Sequence, residues 1–361
     1  MAAVVRAGTH AAEATDLPMV QTTPRPPSHS ERPSRLVSTA DGSVRVAVLT
    51  SGGLVESTGL ESVPQSPLPA GTTAWIDVSA PSTDQVATIT RLLGLHELIS
   101  EDILEGNQRA KIEVTADRIH MVMFALTYGD PIRPSEIDMV LGDRFLLTVH
   151  AADWDPRATH HLRGDGLAAV LERGPDHLVW AICDDLVDGY FPLMDKLGDE
   201  IDLLQDAVIA SASPETLERL FELKRELISI RRAAAPVREI FNQLTNRDLA
   251  LVDTEEIVYF RDVYDHLIRL TDELDTYREL VSGTLDVYLS TVNNNLSLIM
   301  KRLTGVTVVL AGIAAFGGIF GMSEAGAAFA GSEAIGFWAV TAAIFGLAFL
   351  MAFVLRRIRW I

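Results

Sequence analysis

Hydrophobic and polar positions follow three rhythms along this chain. Up to Val149, short stretches carry the alternating period of strands: Ser43 to Val48, Ala74 to Val78, Ile112 to Val114, Arg118 to Leu126, Glu136 to Leu141 and Arg144 to Val149. The last two meet at Gly142-Asp143, as the arms of a hairpin do. Thr83 to Leu93 and His96 to Leu104 have the helical period, and the Gly/Ser/Pro-rich stretch before Ala74 reads as a loop. This mixture predicts an α/β domain over 43–173, preceded by a proline-rich disordered tail over 1–42.

From Gly174 the period is helical. Leu178 to Ala210 sets Ile182, Leu186, Leu193, Leu197, Ile201 and Leu204 on one face and a run of acids from Asp184 to Asp206 on the other. Pro214 opens a second helix, with Leu220, Leu223, Leu227 and Ile230 inward, that runs past Pro236 to about Leu244. The two are expected to form an antiparallel pair over 174–250, and the acid run reads first as a solvated face. No proline follows Pro236, so a single helix can run from about Asp253 to Met322, beginning as a stalk over 251–302. Phe260, Val263, Leu267, Leu270, Leu274, Tyr277, Val281, Thr284 and Tyr288 recur on it at alternating steps of three and four. That seam needs a partner, either the preceding pair or other copies of the chain.

The third rhythm is the absence of one. Leu303 to Ser323 and Ala334 to Leu355 hold no charged residue, and runs of 21 and 22 residues each suffice to cross a bilayer about 30 Å thick. They predict two membrane helices, over 303–323 and 334–355, joined by a loop over 324–333 that carries Glu324 and Glu333. Lys301 and Arg302 flank the first run, and Arg356, Arg357 and Arg359 the second, in a basic tail over 356–361. The bias of positive charge toward the cytoplasm puts both termini inside and the loop outside a plasma membrane.

A net charge of -19 lies almost wholly outside the apolar runs, which disfavours nucleic acid as a partner and favours cations near the surface. The single cysteine, Cys183, excludes an intrachain disulfide framework. No phosphate loop, nucleophile elbow or His-Glu-x-x-His pair is present, so neither an enzyme nor a small organic substrate is indicated. A second three-four series does carry chemistry: Asn293, Ser297, Met300, Thr304, Thr307, Ala311, Ala314 and Gly318, with Asp286 one heptad earlier. In a ring of such helices these residues line one axis, where hydroxyls and amides can hold the water shell that Mg2+ gives up reluctantly. Met300 and Leu303 would form an apolar constriction able to gate by dewetting. The simpler reading is that Ala311, Ala314 and Gly318 only permit close helix packing.

The first apolar run ends in Gly317-Gly318-Ile319-Phe320-Gly321-Met322-Ser323. With Tyr259-Phe260-Arg261-Asp262-Val263-Tyr264-Asp265-His266, Val281-Ser282-Gly283 and Leu285 to Ser290 upstream, the chain resembles the CorA family of divalent-cation channels from about Trp75 onward. The family signature is Gly-Met-Asn, and Ser323 stands in place of the Asn. The resemblance implies a homopentamer moving Mg2+, with Co2+, Ni2+ or Zn2+ as further candidate ions. Its pore would be lined from Asp286, Ser297, Met300 and Leu303 through Thr304, Thr307, Ala311, Ala314 and Gly318 to Gly321, Met322 and Ser323. It further implies a regulatory cation held between subunits by Asp102 and Asp262, and acids at the outer mouth, Glu324 and Glu333. The alternatives are a zinc-type relative, coupled to protons, and a non-conducting divalent sensor anchored by its hairpin.

Overall fold

In a computed structural model, the structure describes residues 41–106, 108–127, 132–320 and 333–357. Residues 1–40 of the tail expected over 1–42, the signature Gly321-Met322-Ser323 and the acid Glu324 lie outside the described residues. Seven strands form one sheet: β1 Ser43–Thr50, β2 Gly53–Thr58, β3 Thr73–Ser79, β4 Lys111–Val114, β5 Arg118–Thr127, β6 Arg133–Gly142 and β7 Phe145–His150. Their order is β2-β1-β3-β7-β6-β5-β4, and the β3–β7 pair is parallel while every other neighbour is antiparallel.

Alternation along the strands builds two cores. Ala74, Ile76 and Val78 of β3 and Phe145, Leu147 and Val149 of β7 pack with helices α1 Thr83–Leu93 and α2 Glu97–Glu105. The intervening Trp75 and Leu146 turn to the opposite face, into the larger core shared with the helical half. Helix α1 starts where the Ser82 side chain and Gln85 cap each other reciprocally, and it stops at Gly94, whose φ of 65° is left-handed. Asp41 and Gly42 are tied to that cap, through Ser82 and Gln85.

The helical half comprises α3 Gly166–Arg173, α4 Pro175–Asp188, α5 Phe191–Ala210, α6 Pro214–Asn246, α7 Ile257–Phe320 and α8 Glu333–Arg357. Helix α6 runs through Pro236, as expected. With 64 residues, α7 is about 96 Å long, and it is long and apolar enough to cross a membrane. Its three-four seam is filled by its own chain: Phe260, Val263, Leu267, Leu270, Leu274 and Val281 are fully buried in the core with α4, α5 and α6. At Gly198 of α5 an added Cβ would stand 2.5 Å from the Tyr277 hydroxyl oxygen, so the α5–α7 approach needs glycine there.

Three elements depart from the expected pattern. Strand β2 occupies the stretch read as a loop; it is an edge strand with Val55 exposed, so no buried face marks it in the sequence. Helix α3 was not expected, although Leu167, Val170 and Leu171 are buried at helical spacing. The expected helix over Leu178 to Ala210 is two helices, broken after Asp188, with Pro192 in the first turn of α5.

Candidate ion pathway and cation-binding groups

Helix α7 changes character along its length. Above Tyr288 one face is buried; from Asn293 to Gly318 each residue of the second three-four series is exposed, Met300 at 60% and Leu303 at 59%. Asn293, Leu296, Ser297, Met300, Lys301 and Thr304 line one shallow depression along the helix. The Thr307 hydroxyl donates to the Leu303 carbonyl at 2.8 Å, which satisfies it inside an apolar segment. Helix α8 covers a different face: Gly305 is buried, and a Cβ at Gly312 would stand 3.0 Å from Met351 Sδ. Glycine at 312 thus lets α8 approach, while Thr304, Thr307, Ala311, Ala314 and Gly318 have no covering element among the described residues. Asp286 is exposed higher on the same helix, and Glu333 begins α8.

Asp102 lies on α2 beside the antiparallel pair β4–β5. Lys111 Nζ donates to Asp102 Oδ2 at 2.6 Å and to Glu113 Oε1 at 2.8 Å. Glu113 and His120 are register partners across the two strands, and with Asp102 they place three ligand atoms within 4.8 Å of one another. His120 Nε2 faces Asp138 Oδ1 at 2.7 Å, and its Nδ1 is buried without a hydrogen-bond partner, 4.0 Å from Asp102 Oδ2. Behind them Glu136 is fully buried, and burial, reinforced by the charge of Asp138, pushes its carboxyl up to about 8; the Gln108 N–H, 3.4 Å from Oε1, opposes the shift.

Asp262 is exposed on α7 and belongs to a second group, with Asp184 of α4 and His266 one turn along α7, again within 4.8 Å. Within one chain Asp102 and Asp262 therefore fall in different groups. His120, Glu113, Asp184 and His266 complete these two groups and were not among the residues expected from the sequence. His266 ends the quoted Tyr-Asp-His stretch and Asp184 stood in the acid run, so both carried a signal; His120 and Glu113 meet only through strand register. The acid run itself is mixed. Asp195, Asp199, Asp202 and Asp206 are exposed as expected, but Asp184 is buried against His161, Asp185 pairs with His160 and Asp188 with His266.

The sequence profile described as CorA-like Mg2+ transporter protein matches residues 70–357, most of the chain. The chain belongs to that family. The cobalt/magnesium transport protein CorA of Thermotoga maritima is 33% identical over 261 residues, 70% of this chain and 74% of its own length. A putative metal ion transporter of Bacillus subtilis is 27% identical over 277 residues, 77% of this chain and 86% of its own. The complete structure of the CorA magnesium transporter of Methanocaldococcus jannaschii superposes with a TM-score of 0.73 over 90% of this chain and all of that one, at 22% identity. As a CorA-family chain this is a membrane transport protein and not an enzyme. In this chain the long helix α7 packs into the core with the β-sheet domain and the helical half and also carries the polar series.

Proposed function

We propose that copies of this chain assemble as a homopentamer around the α7 series and move Mg2+, and with it Co2+ or Ni2+, across the plasma membrane. The supporting observation is the change along α7: its upper seam is satisfied by α4, α5 and α6, whereas the face from Asn293 to Gly318 has no covering element among the described residues. That face carries amide, hydroxyl and small side chains, which suit an ion that keeps its water. Met300 and Leu303 form the dewetting constriction, and α8 is the second, outer membrane helix, with both termini cytoplasmic. Gly321, Met322 and Ser323 close the path at the outer mouth, with Glu324 and Glu333 gathering cations there. The cobalt/magnesium relatives favour this reading over a zinc-type transporter.

Regulation by cytoplasmic Mg2+ follows if Asp102 of one subunit and Asp262 of the next share an ion, since carboxylate oxygens are the ligands it prefers. In this chain Asp102 is already engaged by Lys111, so an arriving ion must displace an ammonium. The double variant Asp102→Asn, Asp262→Asn is expected to keep its oligomeric state and to lose most of the inhibition of uptake by internal Mg2+. Inhibition at the wild-type Mg2+ concentration would remove both residues from the site.

Ser323 is a shorter arm than the Asn of the family signature and meets the ion's water shell more weakly. Ser323→Asn is expected to lower the Mg2+ concentration for half-maximal uptake by roughly tenfold, the sum of about 0.3 kcal/mol from each of about five arms. Ser323→Ala should leave it nearly unchanged. If uptake disappears in the Ala variant, the serine hydroxyl is a direct ligand.

A further inference from the structure

The first of the two loop histidines, His160, and its neighbour His161 sit in a 3-10 turn, His160–Leu162, that packs against α4. The turn sets the two imidazoles side by side with ring centroids 3.7 Å apart, and two consecutive acids of α4 face them. His161 Nε2 is 2.9 Å from Asp184 Oδ2, and His160 Nδ1 is 2.5 Å from Asp185 Oδ1, which also accepts the His160 backbone N–H at 3.3 Å. One ligand atom from each of His160, His161 and Asp184 lies within 4.8 Å of the other two.

We propose that His160, His161 and Asp184 form a binding site for a transition-metal ion of the Zn2+, Co2+ or Ni2+ class. Two imidazoles and one carboxylate are a donor set for these ions and a poor one for Mg2+, which takes oxygen ligands. Bonds of about 2.0–2.2 Å in tetrahedral geometry separate ligand atoms by about 3.3 Å, so the 2.9 Å between His161 and Asp184 needs only a small side-chain adjustment to admit an ion. With Nδ1 of His160 committed to Asp185, Nε2 is the nitrogen left to ligate, and Asp185 takes the outer position that orients a metal-bound histidine.

The surroundings hold this arrangement and leave it accessible. Asp184 is only 8% exposed. The His161 ring packs 4.6 Å from that of Trp180, which stacks at 4.7 Å on His177, itself hydrogen-bonded through Nδ1 to buried Glu256 at 2.6 Å. The His160 side chain is 52% exposed, which provides the entry path. Asp184 also belongs to the group with Asp262 and His266, so the two loop histidines, which do not, distinguish this site from that one.

The test titrates the untagged full-length protein in detergent with Co2+, reading the visible absorption of bound cobalt, and then with Zn2+ as a competitor. The wild type should bind Co2+ with imidazole-type absorption, give it up to Zn2+ and retain it in excess Mg2+. His160→Gln with His161→Gln should weaken binding by more than about tenfold, a larger loss than His266→Gln causes. Unchanged affinity in the double variant, or a loss in His266→Gln as large as that of the double variant, would overturn the assignment. Should the double variant not stay folded, Asp185→Asn decides: binding about 10–100-fold weaker supports the site, and wild-type binding overturns it.

Discussion

Truncating Phe260 to Ala is expected to destabilise the helical half by about 3–5 kcal/mol, the range for emptying a well-packed aromatic site. Phe260 is fully buried where α7 first meets α6, its ring 6.0 Å from that of Phe241. It is the first member of the seam, so its loss opens a cavity between two helices that cannot collapse without shifting the rest of the stalk. Val258, two residues earlier and 67% exposed, is the control: Val258→Ala should change stability by no more than about 0.5 kcal/mol. Urea denaturation followed by circular dichroism compares the two variants. Equal stability of the two would mean that α7 is held by other copies of the chain and not by its own α4, α5 and α6.

Glu136 provides the second large effect, in the pH dependence of stability. Its carboxyl has an ordinary value of 4.5 and is pushed to about 8 in the fold, so the folded state favours the protonated form. For a raised value, the stabilisation is fully present below 4.5 and is lost as pH climbs through about 8. Wild-type stability should therefore fall over that interval by about 2–5 kcal/mol and level off above it. Glu136→Gln removes the titrating group and should flatten this part of the curve, whatever its stability at acid pH. Melting temperatures of both proteins at several pH values measure the slopes. Parallel curves for wild type and variant would show that Glu136 does not titrate in this interval.

Those two residues also mark what the sequence made legible. The seam from Phe260 to Tyr288 could be read because it lies on one uninterrupted helix, where a three-four spacing translates directly into a buried face. The capped helix α1 and the paired strands β6 and β7 were equally local. Glu136 was seen only as a strand residue, because its burial beside Asp138 and His120 depends on the register of three strands. The histidine–acid pairs fall in the same class: His160 and Asp185 are 25 positions apart, and His177 and Glu256 are 79 apart. No local period records such contacts. The break between α4 and α5 did leave a sign, Gly189 followed by Pro192, that the continuous apolar face across it masked. The spacing of the face from Asn293 to Gly318 was legible on one helix, and that face is exposed within the chain; the ring proposed to line an axis with it belongs to the assembly and not to one chain.

The proposed pentamer conducts Mg2+. Mg2+ entry into liposomes holding the purified full-length protein, followed by an internal Mg2+ indicator, tests it most directly. Entry is expected to saturate with external Mg2+, to exceed that of protein-free liposomes and to be competed by Co2+. Entry at the protein-free rate, from protein that is oligomeric and correctly inserted, would contradict it and leave a membrane-anchored divalent sensor as the function.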